Sequence, residues 1–218
     1  MDKKIRLLIA DDQVLFAESL QYVLRATSEG IELVGIATDG EMAIDMAESK
    51  RPDIILMDVR MPRMDGVEAT KLIHRSHPEI RIVMLTTFDD DGYVHFAVKH
   101  GAVGYLLKNM TPEDLVLSLQ AAMRGTTLFT KGITDKILRT QEGTLGVQDH
   151  IMDKLTPREW DVLNLVMRLM NNRQIALELG ISERSVRNYI HSLYDAFDVG
   201  DRMELLQKLQ ETWPLARP

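Results

Sequence analysis

The chain contains no cysteine, which excludes disulfides, thiol catalysis and cysteine-bound zinc. It has no stretch near the roughly 20 apolar residues that a membrane helix needs. The amino terminus, MDKKIRLLIADD, carries basic residues and then an apolar run. That run is too short for a signal-peptide core, and two aspartates close it. The missing membrane span and signal-peptide core lead us to expect the protein in the cytoplasm, with no membrane partner. The six histidines show no paired helical spacing, so a histidine-rich metal site is not expected. A strongly basic body is missing too. The net charge is −7 over 218 residues, and all of it lies in residues 1–153. From Lys154 onward nine Lys and Arg face nine Asp and Glu. Neither half looks like a tight nonspecific nucleic-acid binder.

What is present is a soluble globular composition, 45% apolar and 27% charged, with room for two ordinary domains. Apolar runs with strand character occur at Ile5–Ala10, Leu33–Ala37, Ile54–Met57, Ile82–Leu85 and Val103–Leu107. Segments with helical spacing of apolar residues lie between and after them. Thr111-Pro112-Glu113-Asp114 is a helix start, with a cap, a proline at the first position and acids in the first turn. Five strand–helix units with short links predict a doubly wound, five-stranded parallel sheet covered on both faces. Gly125 ends the pattern. We assign residues 1–125 to this α/β domain and 126–153, rich in turn residues, to an interdomain connector with one short helical candidate at Thr134–Arg139. Residues 154–218 give helical signals only and predict a small all-α domain.

Residues just past the strands of a parallel sheet gather at one edge. Asp11 and Asp12 follow the first strand, Asp58 the third, and Lys108 the fifth, while Thr86 ends the fourth. Three gathered carboxylates repel one another unless a cation sits among them. Carboxylate and water ligands suit Mg²⁺, which also engages phosphate oxygens. Lys108 and Thr86 complete a cage for a phosphoryl group, and Asp58 can act as the nucleophile. An aspartate-dependent phosphatase would commonly carry a second Asp two residues after the nucleophile. That position is Arg60, which cannot serve as the acid.

With Met61-Pro62 and Asp65-Gly66 added, residues 1–125 resemble the receiver domain of response regulators. The resemblance implies that Asp58 accepts phosphate from a sensor histidine kinase. It implies that Asp12, Asp58 and the Arg60 carbonyl bind Mg²⁺ directly, with Asp11 acting through water. It implies that Thr86 and Tyr105 form a switch pair. Asn109 stands where many receivers have proline.

Ala176, Gly180 and Val186 sit at relative positions 0, +4 and +10, the spacing of a helix-turn-helix. On its second helix Val186, Ile190, Leu193 and Phe197 share the face expected to be buried. Arg184, Arg187, Asn188 and His191 share another, where Arg and Asn can read base edges in the major groove. Arg173 and Ser182 are placed to touch phosphate. The runs Leu155–Glu159, Asn172–Ala176 and Ile181–Asn188, the last including Ser185, resemble a LuxR-type DNA-binding domain. Leu169 and Asp198 replace frequent glycines, so Asp198 is expected at positive φ. Asp195 and Ala196 stand where basic residues are common. Trp160 is expected to be a core or domain-contact aromatic rather than one that stacks on bases. Receiver plus this domain resembles the NarL/FixJ class. The resemblance implies double-stranded DNA as a partner and a homodimer formed on phosphorylation. The reader's zero charge motivates an alternative: a phospho-switch that acts by pairing with another protein and binds little DNA.

Overall fold

Four strands in the first half of the chain, at Ile5–Ala10, Ile54–Asp58, Arg81–Thr86 and Gly104–Leu107, are largely apolar runs that the fold buries. The computed structural model describes residues 4–27, 30–87, 91–129 and 155–212. Over the first 129 residues the elements are β1 (Ile5–Ala10), α1 (Val14–Thr27), β2 (Ile31–Ala37), α2 (Gly40–Lys50), β3 (Ile54–Asp58) and α3 (Gly66–Ser76). Then come β4 (Arg81–Thr86), α4 (Asp91–Lys99), β5 (Gly104–Leu107), α5 (Pro112–Met123) and β6 (Leu128–Phe129). Strand order is β2-β1-β3-β4-β5-β6, and every pair is parallel. Side chains alternate between faces. Leu7, Ile9, Leu56, Val83 and Leu85 pack with Leu20, Leu115 and Leu119 of α1 and α5. Ile55, Met57, Ile82, Met84 and Tyr105 point the other way, and Val67, Ile73, Tyr93 and Phe96 of α3 and α4 are buried with them.

The sheet has six strands where the sequence predicts five. After Gly125, at φ 91°, the chain turns back and Leu128 N–H donates to Val103 O at 3.0 Å. Gly104 makes the approach possible, because a Cβ there would lie 2.9 Å from Leu128 Cβ. Two residues carry no periodicity, so nothing in the sequence marks this strand. It falls at the start of the stretch assigned to the connector. The helical candidate Thr134–Arg139 lies outside the described residues.

The second unit holds α6 (Pro157–Met167), α7 (Asn172–Leu179), α8 (Glu183–Phe197) and α9 (Arg202–Thr212). Capping boxes open the first two: Thr156 with Glu159, and Asn171 with Gln174. Gly180, at φ 63°, makes the turn between α7 and α8. Val186, Ile190, Leu193 and Phe197 are buried as the helical spacing predicts, and so is Trp160. Leu169 and Asp198 stand at φ 60° and 52°. The positive φ expected of Asp198 is therefore present, and Leu169 shares it. Among the described residues no helix is long and apolar enough to cross a membrane.

Candidate functional site

The strand order reverses between β1 and β3, and an open α/β sheet binds ligands at the carboxyl ends of strands flanking such a point. Asp11 and Asp58 stand there. Oxygens of Asp11, Asp12 and Asp58 all lie within 4.8 Å of one another. Asp11 and Asp58 are buried, and Asp12 is exposed. The Asp11 N–H donates to Ala37 O at 2.9 Å, and its carboxylate accepts from the Gln13 N–H at 2.9 Å. Both contacts fix its direction.

Lys108 reaches in from the end of β5. Its Nζ lies 2.6 Å from Asp11 Oδ2 and 2.8 Å from Asp58 Oδ2. The side chain is only 6% exposed, so this is a buried bridge. Its N–H donates to Thr86 O at 2.7 Å, which ties the end of β4 to it. Burial disfavours the ammonium, but hydrogen bonds from Lys108 to the Asp11 and Asp58 carboxylates outweigh that and hold its pKa above the usual lysine value. Nζ also stands 4.8 Å from the centroid of the Phe16 ring, a cation–π contact that strand and motif reasoning missed.

Burial pushes the Asp58 carboxyl up to about 6. The Lys108 hydrogen bond and charge and the Arg60 amide pull it back, while the Asp11 charge adds to the rise. Three carboxylates face one ammonium, which leaves an anionic, all-oxygen set. Such donors fit a hard divalent cation, and Mg²⁺ above all where phosphate is to be held. Gly66 closes over this strand end. A Cβ there would lie 1.8 Å from Asp58 O, so no other residue fits without moving the strand.

Thr86 is buried at the end of β4, and Tyr105 is fully buried on β5. Tyr105 pairs with Met84, two residues before Thr86, so both side chains project from the same face of the sheet. The side chain of Arg60 is exposed and lies over the Tyr93 ring, 5.3 Å from its centroid.

On the second unit Arg173, Arg184, Arg187, Asn188 and His191 are exposed, and Ser185 is half-buried. Ser182 caps α8: its oxygen accepts from the Ser185 N–H at 3.0 Å. Arg187 lies 3.9 Å from Glu183 one turn back. Two cations of α9 serve the fold. Arg202 reaches Asn172 Oδ1 at 3.3 Å and also the Met170 carbonyl. Lys208 donates to Phe197 O at the end of α8. Sequence reasoning assigned neither a role.

A family model described as response regulator receiver domain matches residues 7–120. One described as bacterial regulatory proteins, luxR family, matches 153–209. The chain is 38% identical over 205 residues to the transcriptional regulatory protein YxjL of Bacillus subtilis, covering 92% of this chain and 93% of that one. It is 31% identical over 198 residues to the nitrate/nitrite response regulator protein NarL of Escherichia coli, covering 91% of each. The receiver domain of a putative response regulator NarL from Mycobacterium tuberculosis superposes with a TM-score of 0.54 at 30% identity. That match covers 57% of this chain and 99% of that one. RcsB of Salmonella enterica serovar Typhimurium, bound to promoter rprA, shares the fold over 95% of this chain and 99% of its own (TM-score 0.59, 23% identical).

The chain belongs to the two-component response regulators. A receiver followed by a LuxR-type DNA-binding domain places it in the NarL/FixJ class, whose members are transcription regulators.

Proposed function

We propose that Asp58 is the phosphoacceptor and that its phosphorylation by a sensor histidine kinase drives homodimerisation and sequence-specific binding of double-stranded DNA. The observation that carries this is Lys108 Nζ, set 2.6 Å from Asp11 and 2.8 Å from Asp58 at the sheet's switch point. An Asp58 oxygen attacks phosphorus as the bond from phosphorus to the kinase histidine nitrogen breaks, and that nitrogen leaves with the electron pair. Mg²⁺, held by Asp12, Asp58 and the Arg60 carbonyl, with Asp11 through water, would offset charge on the transferring oxygens.

Lys108 balances the same charge, exchanging carboxylate contacts for a phosphoryl oxygen. The Thr86 hydroxyl donates to a phosphoryl oxygen. Tyr105, already inside the domain, occupies the space that Thr86 vacates. A shift from 1:99 to 99:1 between two receiver states needs about 5.5 kcal/mol of differential interaction. New contacts from Lys108, Thr86 and the cation are of the right order.

On the reader, Arg184, Arg187, Asn188 and His191 face base edges, while Arg173, Ser182 and Ser185 face phosphates. Ser182 keeps its capping contact and offers its hydroxyl hydrogen. A second reading keeps the phospho-switch but has the reader act by protein pairing with little DNA binding. The commitment of Arg202 and Lys208 to internal contacts favours it.

Incubation with acetyl phosphate and Mg²⁺ tests the acceptor. Wild-type chain is expected to gain one phosphate that alkali or hydroxylamine removes, and Asp58→Ala none. Labelling that persists in Asp58→Ala would move the acceptor elsewhere.

A further inference from the structure

The loop that follows Asp58 contains a strained turn, and one arginine fastens it. Met64 N–H donates to Pro62 O at 2.7 Å across Arg63, which stands at φ 63°. A three-residue turn with positive φ at its centre is rare and strained, the more so with a side chain as large as arginine. Strain of this kind persists only where the surroundings impose it.

Two contacts do so here, both to the start of α2. The Arg63 guanidinium pairs with Asp39 Oδ2. Gly40 N–H donates to Met64 O at 3.1 Å, and a Cβ on Gly40 would lie 2.8 Å from that carbonyl oxygen. Asp39 is fully buried. Its Oδ1 caps α2 by accepting from Met42 N–H at 2.9 Å, which leaves Oδ2 for Arg63. A buried carboxylate oxygen without a cation would be costly. Glu41, 3.9 Å from Arg63 Nε, adds a weaker attraction. Asp39 also stands two residues after Ala37, whose carbonyl orients Asp11. Arg63 thus connects the loop carrying Arg60 to the strand end that sets Asp11.

We propose that the Arg63–Asp39 ion pair is a positioning device for the acceptor site: it clamps the strained loop so that Arg60 and the end of β3 are set for a divalent cation. This rests on the phosphoacceptor reading. For Arg63, charge and positioning oppose each other in sign, which makes the idea decidable. Removing a guanidinium near an anionic site should, by charge alone, strengthen cation binding. Loss of positioning weakens it.

The test is calorimetric Mg²⁺ titration of the full chain, with amide hydrogen exchange read at Gly40. The variants are Arg63→Gly, Arg63→Lys, Asp39→Asn and the double variant that combines Arg63→Gly with Asp39→Asn. Glycine tolerates positive φ, and asparagine still caps α2, so each single variant is expected to fold. Arg63→Gly and Asp39→Asn are expected to weaken Mg²⁺ binding roughly tenfold and to speed exchange at Gly40. The double variant should be no worse than the weaker single, and Arg63→Lys should recover most of the loss. Tighter or unchanged Mg²⁺ binding by Arg63→Gly overturns the proposal, as do losses that add fully in the double. A wild-type chain that binds no Mg²⁺ overturns the acceptor reading and this inference with it. A wild-type chain that binds, beside an Arg63→Gly variant that binds equally, overturns the clamp alone.

Discussion

Asp58 sits in the protein with its charge disfavoured. Its carboxyl stands at about 6 against an ordinary 3.8, chiefly through burial. An acid whose pKa rises on folding favours the protonated form. Its contribution to stability is fully present below about 3.8 and is lost as pH rises through about 6. The gap corresponds to about 3 kcal/mol. In EDTA, urea unfolding of the receiver is therefore expected to show stability falling from about pH 4 to about pH 7 in the wild-type chain relative to Asp58→Asn. Parallel profiles for the two would mean that the carboxylate is not destabilised by its setting. Added Mg²⁺ should shrink the difference, because a cation binds the charged form and releases the proton.

At the scale of the element, Leu169 is the residue that contradicts its own turn. It is 75% exposed at φ 60°, between α6 and α7, so it packs little and strains the backbone. A left-handed conformation costs a non-glycine residue roughly 1–2 kcal/mol, and the greater freedom of unfolded glycine returns about 0.5–1. Leu169→Gly is expected to stabilise the helical unit by about 0.5–1 kcal/mol in thermal unfolding followed by tryptophan fluorescence. Leu169→Ala should show no such gain, and an equal gain would shift the cause from backbone to side chain. Elements of this chain are legible to the degree that they are periodic. The five longer strands are apolar runs, the buried face of α8 repeats every three to four residues, and Asp11, Asp58, Thr86 and Lys108 stand where strands stop. What escaped has no period. Strand β6 is two residues long, and the Arg63 turn depends on Asp39, a partner far back in the sequence. Phe16 meets Lys108 only once the sheet exists. The capping box at Asn171–Gln174 is readable as an N-x-x-Q pattern, a weaker signal than the Thr-Pro-x-Glu that opens α6.

For the whole molecule the distribution of charge decides how DNA can be held. The acidic excess lies entirely before Lys154, and the helical unit is neutral. Several of its cations already have partners: Arg158 with Asp161, Arg187 with Glu183, and Arg202 and Lys208 with backbone carbonyls. Counterion release by one such unit is small. Two linked units gain roughly 100-fold or more in affinity through effective concentration. With beryllofluoride and Mg²⁺ the chain is expected to double in mass by light scattering, to bind its operator at least about 100-fold more tightly, and to show a steeper salt dependence. Doubling without a gain on any genomic fragment would favour the protein-pairing reading. Strand β6 has its own bearing on how a signal leaves the receiver. Phe129 lies in register beside Tyr105, so the residues just after the receiver's last helix extend the sheet along the very strand that carries that tyrosine ring. Any displacement of the β5 backbone would be passed to Leu128 and Phe129 through ladder hydrogen bonds, without another molecule having to meet the receiver's surface.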